Sequence, residues 1–316
     1  MSRASLTAAA IKQRAAELGF DLCGIAPAAG HPELAALGPW LADGYAGSMA
    51  YLERTAEARS DVRHVLPAAR TVIVTATNYN TARPYSTECA DPTRAHIARY
   101  AWGDDYHIVV GRRQDALLAW MHRASDTPFQ AVSYVDTGPV QERVYARHAG
   151  LGWIGKNACV INDQVGSWLF LGAVITSLVL EVDVPAIDRC GTCTLCLDAC
   201  PTQAFVAPGV LDARRCIAYL TIEHRGDIAE ELRTSIGTHV FGCDVCQEVC
   251  PWNATAAVSS DPAWQPRSVW DARSLADIDR LSDVEIQEAL RGSAMRRAKL
   301  GGLRRNLAMA QGLDRP

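Results

Sequence analysis

Eight of the chain's eleven cysteines fall in a pattern that holds redox metal. Cys190 to Cys200 read CGTCTLCLDAC and run straight into Pro201, Cys243, Cys246 and Cys250 form CxxCxxxCP with Pro251, and Cys216 stands between the two runs. CxxCxxCxxxCP is the spacing of [4Fe–4S] ligands, in which three thiolates hold one cluster and the fourth crosses to a second. That rule assigns Cys190, Cys193, Cys196 and Cys250 to one cluster, and Cys200, Cys216, Cys243 and Cys246 to the other. CxxC pairs also build four-thiolate zinc sites, but two proline-terminated runs follow the cluster pattern. A disulfide framework needs an oxidising compartment, and nothing in the chain suggests export. The remaining Cys23, Cys89 and Cys159 read as small buried hydrophobes.

Three other stretches gather groups able to do chemistry. RYAWGDDYHIVVG places Arg99, Tyr100, Trp102, Asp104, Asp105, Tyr106 and His107 at a loop-to-helix junction. Asp105, His107 and Gly111 approach the DxHxxG signature of histidine-ligated cobalamin, with the glycine one residue late; the same residues also read as a capped helix start. In VDTGPV, Asp136 ends a strand, Gly138 turns the chain and Pro139 suits the first position of a helix. In an open α/β domain, ligand sites lie at such strand ends. A helix N-terminus would favour the Asp136 carboxylate, whereas burial under a large apolar cofactor would favour the acid, and proton donation needs burial to prevail. The third stretch, HAGLGWIGKNACVI from His148, combines glycines that let backbone approach a ligand with Lys156 and Asn157 as hydrogen-bond donors; a tight structural loop is the alternative. No GxGxxG follows a strand, which argues against a Rossmann dinucleotide site.

These groups need a scaffold, and 316 residues with 49% hydrophobic content can supply one large or two ordinary domains. The net charge of −4 argues against a uniformly basic nucleic-acid binder. Helical spacing over residues 6–18 stops at Gly19, and interrupting charges at Lys12, Arg14 and Glu17 make this an amphipathic helix and not a signal peptide. No stretch reaches a membrane span, so a cytoplasmic protein is expected. Strands are predicted at FDLCGIA, Thr71–Thr77, FQAVSYVD and within Gly166–Leu180. Helices are predicted around 32–42, 49–58, 104–123 and PVQERVYARHAG, an alternation that favours α/β to about residue 185. Residues 261–277 read as a loop, and Ser282 with Glu285 forms a capping box opening a short helix.

In order and spacing, RYAWGDDYH, VDTGPVQER, AGLGWIGKN, GSWLFLG, CGTCTLCLDACPTQAF, CDVCQEVCPWN and GSAMRRAKLGGLRRNLAMA resemble the epoxyqueuosine reductase family. These are cobalamin-dependent iron–sulfur enzymes of tRNA modification, related to reductive dehalogenases. The resemblance implies an α/β (α+β) cobalamin-binding catalytic domain at 1–185, of reductive-dehalogenase and nitroreductase type. A ferredoxin-like domain with two [4Fe–4S] clusters at 186–257 and a helical C-terminal segment at 258–316 would follow, at the point where longer members continue into HEAT-like repeats. It implies Asp136 as general acid, with Arg59, Arg99, Asn157, Val160 and Leu171 in corrinoid-binding segments and Tyr100, Tyr106, His107 and Lys156 as further candidates. The corrinoid is expected base-off, with no histidine on cobalt. The implied reaction converts epoxyqueuosine to queuosine at the tRNA wobble position, using cob(I)alamin re-reduced through the clusters by a low-potential donor of flavodoxin or ferredoxin type. A monomer is expected.

From Arg291 the chain carries seven cations against Asp314 alone, a local +6 on a −4 protein. Arg296, Arg297, Lys299, Arg304 and Arg305 are the expected tRNA phosphate contacts, the alternative being a solvated helix face. Two rival functions share parts of the pattern. A corrinoid reductive dehalogenase would commonly carry a twin-arginine signal, which this N-terminus lacks. A non-catalytic electron-transfer protein would purify without cobalt.

Overall fold

The computed structural model describes residues 6–313. Its centre is a four-stranded sheet of β1 (Leu22–Pro27), β2 (Thr71–Asn78), β3 (Ala131–Tyr134) and β4 (Leu169–Thr176), in the order β1-β2-β4-β3. All three pairings are antiparallel, with Ile25 opposite Ile73, Ile73 opposite Val174, and Ser133 opposite Val174. The architecture is therefore α+β, and the strand-end argument from parallel sheets does not apply. β3 is an edge strand, and its end leads directly into Asp136.

Every residue of β2 is buried, because alternate side chains enter two different cores. Val72, Val74 and Ala76 pack with Val140, Val144, Tyr145 and Ala146, whereas Ile73 packs with Ile11, Ala15, Val110, Leu117 and Met121. The second core is covered by α1 (Ala8–Glu17), capped by Thr7, and by α2 (Tyr106–Ala124). α2 buries Val110, Gln114, Leu117 and Met121 at helical spacing and starts at Asp105, whose side chain accepts from the His107 N–H. Gly172 makes room for Gln114, since a Cβ there would lie 2.2 Å from Nε2.

The helix α3 (Glu142–His148) begins three residues after Pro139, later than the sequence suggests. Residues 135–141 instead form an irregular loop that folds back on Tyr134, where a Cβ on Gly138 would sit 2.2 Å from the tyrosine ring. The HAGLGWIGKN stretch ends in a small hairpin, Trp153–Ile154 against Val160–Ile161. The capping box at Ser282 is present and opens Asp283–Ala289; a second one, at Ser274, opens a helix over Leu275–Asp279 where a loop was expected.

The three expected domains share packing. His239 and Phe241 pair in parallel with His96 and Ile97, and one core combines Ala95, Ile97, Ile222, Val240 and Phe241 with Trp270, Ile286, Leu303 and Leu307. The last helix, α4 (Lys299–Ala310), closes that core. Among the described residues no helix is long and apolar enough to cross a membrane.

Candidate active site

The two cysteine runs fold against each other. Cys190, Cys193, Cys196 and Cys250 line one cavity of about 250 Å³, together with Lys156, Asn157 and Trp252. Cys200, Cys216, Cys243 and Cys246 form a second group, in which the Cys216 thiol feels Cys200, and Cys243 and Cys246 both feel Cys216. Burial pushes the thiols of Cys216, Cys243 and Cys246 up, so their anionic forms need a positive partner. Among the described residues no three His, Cys, Asp or Glu side chains converge on the position of a single ion. Four thiols around a cavity of about 250 Å³ suit a cluster, which is larger than an ion.

Lys156 and Asn157 belong to this cluster region. Lys156 Nζ donates to the carbonyls of Gly191 at 2.7 Å and Cys193 at 2.9 Å, and Asn157 Nδ2 donates to the Cys246 carbonyl at 3.2 Å. They hold the two cysteine loops, a different role from the corrinoid contact implied by resemblance. Cys159, half-buried two residues on, has its thiol pushed up by burial and lies in the field of Cys196 and Cys250.

Asp136 lies in the loop after β3, with a backbone φ of 59° that side-chain-bearing residues seldom adopt. Its Oδ2 meets His107 Nε2 at 3.3 Å, and the other ring nitrogen of His107 meets Asp105 Oδ1 at 2.7 Å. Tyr106 stacks between His107, 4.0 Å away, and Phe170, 4.4 Å away. Tyr100 contacts Tyr106 edge-on, and burial pushes both phenols far above their ordinary value. The surrounding loop desolvates Asp136 and pushes it up although its side chain is 62% exposed, but the hydrogen bond and positive charge of His107 override this and hold the carboxyl below its ordinary value. Burial pulls the His107 imidazole down, yet Asp105 and Asp136 raise it to about 9. The proton therefore rests on His107 and not on Asp136, contrary to the expectation of a desolvated acid.

Asp105 is thus both helix cap and ion-pair partner. The DxH spacing contains that signal, because a cap carboxylate reaches the ring of the residue two positions on. Glu142 and Arg143 are also part of the site: Glu142 Oε1 accepts from the Asp136 N–H at 2.7 Å, and Arg143 donates to the Ala158 carbonyl. Both stand in the VDTGPVQER motif but had no assigned part.

The expected corrinoid contacts divide. Arg59 donates to the Val140 carbonyl at 3.0 Å and so touches the Asp136 loop. Leu171 and Leu169, both partly buried, share one face of β4 with the neighbouring Tyr134 of β3, and Val160 is buried behind them in the same core. This half-open apolar surface beside the Asp136 loop fits one face of a large apolar ring. Arg99 is only 2% exposed. Its guanidinium donates to the carbonyls of Thr81, Arg83 and Pro84 and lies over Trp102, which makes it an organiser of loop 81–84 and not an open contact.

The C-terminal cations also divide. Arg304 donates to the carbonyls of Asp279 and Leu281 and to Asp283, and Arg305 donates to the carbonyls of Leu220, His224 and Gly226. Both are committed internally, so the expected phosphate face loses them. Arg297 donates to both oxygens of Glu223 at 2.8 and 2.7 Å and lies over the Tyr51 ring. Arg296 and Lys299 are exposed, and their side chains have no hydrogen bond or ion pair among the described residues. The segment Ala294–Ala298 borders the Asp136 site, since Arg296 lies in the field of Asp105 and the Asp105 N–H donates to Gly292. Asp314 and Arg315 lie outside the described residues.

Residues 59–137 match the family described as Epoxyqueuosine reductase QueG, DUF1730, and residues 189–253 match the 4Fe-4S double cluster binding domain. The epoxyqueuosine reductase of Gloeobacter violaceus is 48% identical over 316 residues, covering 97% of this chain and 96% of the relative. A crystal structure of epoxyqueuosine reductase with a tRNA-Tyr epoxyqueuosine-modified stem loop is similar with a TM-score of 0.87 at 31% identity, covering 96% of this chain and 80% of that one. The Bacillus subtilis enzyme, in a structure whose catalytic aspartate loop is swung out of the active site, gives 0.85 at 30% identity, with the same coverage of 96% and 80%. With near-full-length identity of 48% and a shared fold that includes both cysteine runs, this chain belongs to the epoxyqueuosine reductase family.

Proposed function

We propose that this protein reduces epoxyqueuosine to queuosine at the wobble position of tRNA, the last step of queuosine biosynthesis. The observation that carries the reading is the Asp105–His107–Asp136 chain beside an apolar surface, in a molecule that also gathers eight cysteines as two groups of four. Its cofactors are cobalamin and two [4Fe–4S] clusters. Leu169, Leu171 and Tyr134 would hold the corrinoid face, with Arg59 at the loop beside it. The cofactors supply two electrons, relayed singly, to the epoxide carbon when they are bound.

Opening the epoxide and losing its oxygen as water consumes two electrons and two protons, leaving the cyclopentene. The chain's residues supply the first proton. His107 stores it between two carboxylates, and Asp136, 62% exposed at the mouth, passes it to the departing oxygen. Tyr106 packs against the imidazole and holds the ring in place. The second proton enters from solvent through the same pair. Arg296, Arg297 and Lys299 at the rim suit the tRNA backbone. A low-potential donor of flavodoxin or ferredoxin type would reach the first cluster where Cys193 is exposed. We place the enzyme in the cytoplasm as a monomer, with catalysis in 1–185, electron relay in 186–257 and tRNA contact in 258–316.

The test is nucleoside analysis of tRNA from a host lacking its own reductase. Wild-type protein with cobalamin should convert epoxyqueuosine to queuosine. Asp136→Asn should retain iron, sulfide and corrinoid while converting none. Full turnover by that variant removes Asp136 from the mechanism.

A further inference from the structure

The catalytic reading leaves the backbone of Asp136 unexplained. A φ of 59° is adopted readily by glycine and only at a cost by aspartate, so something must hold it. One side-chain contact meets the residue's own amide: the Asp136 N–H donates to Glu142 Oε1 at 2.7 Å. Glu142 is the first residue of α3, but its carboxylate turns back to the loop instead of capping its own helix, whose start has no side-chain cap. The loop is fastened elsewhere by Arg59 on the Val140 carbonyl and by Gln141 Nε2 on the carbonyls of Leu34 and Arg59, each at 3.0 to 3.1 Å. Those contacts fix residues 140 and 141. Across Asp136 itself the Thr137 N–H donates to the Val135 carbonyl at 2.6 Å and closes the turn, and Glu142 is the side chain that holds the Asp136 amide within it.

The arrangement works against Glu142's own charge. Burial and the neighbouring Asp136 carboxylate push its carboxyl up to about 7, while the Asp136 N–H, Arg143 and Arg59 favour the anion. A carboxylate kept close to another carboxylate is unfavourable in itself, and the hydrogen bond to the amide is what the placement gains.

We propose that Glu142 is a positioning residue that holds Asp136 in its left-handed backbone, with the carboxyl turned to His107. This rests on Asp136 as the proton donor. Glutamine keeps an acceptor oxygen at the same place and alanine does not, so Glu142→Gln and Glu142→Ala separate the contact from the charge. The holoenzymes are compared by amide exchange of the peptide spanning 135–138 and by kcat and KM on epoxyqueuosine-tRNA. In Glu142→Ala, exchange at Asp136 should quicken at least about tenfold, and kcat should fall at least about tenfold with KM within twofold. Glu142→Gln should stay within about threefold of wild type in both. Unchanged exchange in Glu142→Ala, or equal damage in the two variants, overturns the proposal. Quickened exchange with unchanged kcat would leave the backbone contact standing and overturn Asp136's part in the reaction.

Discussion

Asp105→Asn separates the proton store from the fold. Asparagine caps a helix about as well as aspartate, so α2 keeps its start while His107 loses one of its two anionic partners. A rise of the imidazole from 6.5 to about 9 corresponds to about 3 kcal/mol favouring the charged ring. Asp105 holds the larger share, being nearer at 2.7 against 3.3 Å and less exposed at 22% against 62%. Solvent screening at a ring that is 32% exposed reduces its part to about 1–2 kcal/mol. In Asp105→Asn the imidazole should therefore titrate near 8, about one pH unit lower. The folded value lies above the unfolded one, so the associated stability is full below about 6.5 and is lost as pH rises through about 9. The assay is single-turnover kcat/KM on epoxyqueuosine-tRNA from pH 6 to 10. Its alkaline limb should lie near 9 in the wild type and near 8 in the variant, with the variant's thermal stability reduced at pH 6 but not at pH 10. An alkaline limb that stays at the wild-type pH would refute His107 as the proton store.

Cys250→Ser should abolish the spectroscopic signal of the cluster held by Cys190, Cys193 and Cys196 while the other cluster persists in electron paramagnetic resonance; loss of the other cluster alone would reverse the ligand assignment. Among the C-terminal cations, Arg305→Ala should destabilise the fold by about 2–4 kcal/mol in denaturant unfolding, because three carbonyls lose their donor. Arg296→Ala and Lys299→Ala should leave stability unchanged and each lower the salt slope of tRNA binding by about one. A free Arg305 would show the opposite, weaker tRNA binding with full stability.

The double-cluster domain was legible because cysteine spacing is a local property. The CxxCxxC turn brings its own thiolates together, and the Ser282 capping box closes within four residues, so both survive any rearrangement of the rest. The order of motifs likewise placed Asp136, Tyr106 and His107 in one site. Local signals misled where a partner was distant. Pro139 looked like a helix start, but Gly138 and Tyr134 fold the loop back and delay the helix to Glu142. Alternating strands and helices favoured an α/β domain but left strand direction open, because the antiparallel pairing is a contact between segments that sequence spacing does not record.

The sequence by itself determined the family and the two proline-terminated cysteine runs, and it singled out Asp136 for the proposed chemistry. Tertiary structure decided which charges are free to act. Arg304 and Arg305 look like Arg296 and Lys299 until docking of α4 commits the first pair to carbonyls 23 to 85 residues away. Asp136 reads as a buried acid until His107, 29 residues earlier, takes the proton. A side chain's charge state is set by what surrounds it in space, and those surroundings are assembled only when distant segments pack.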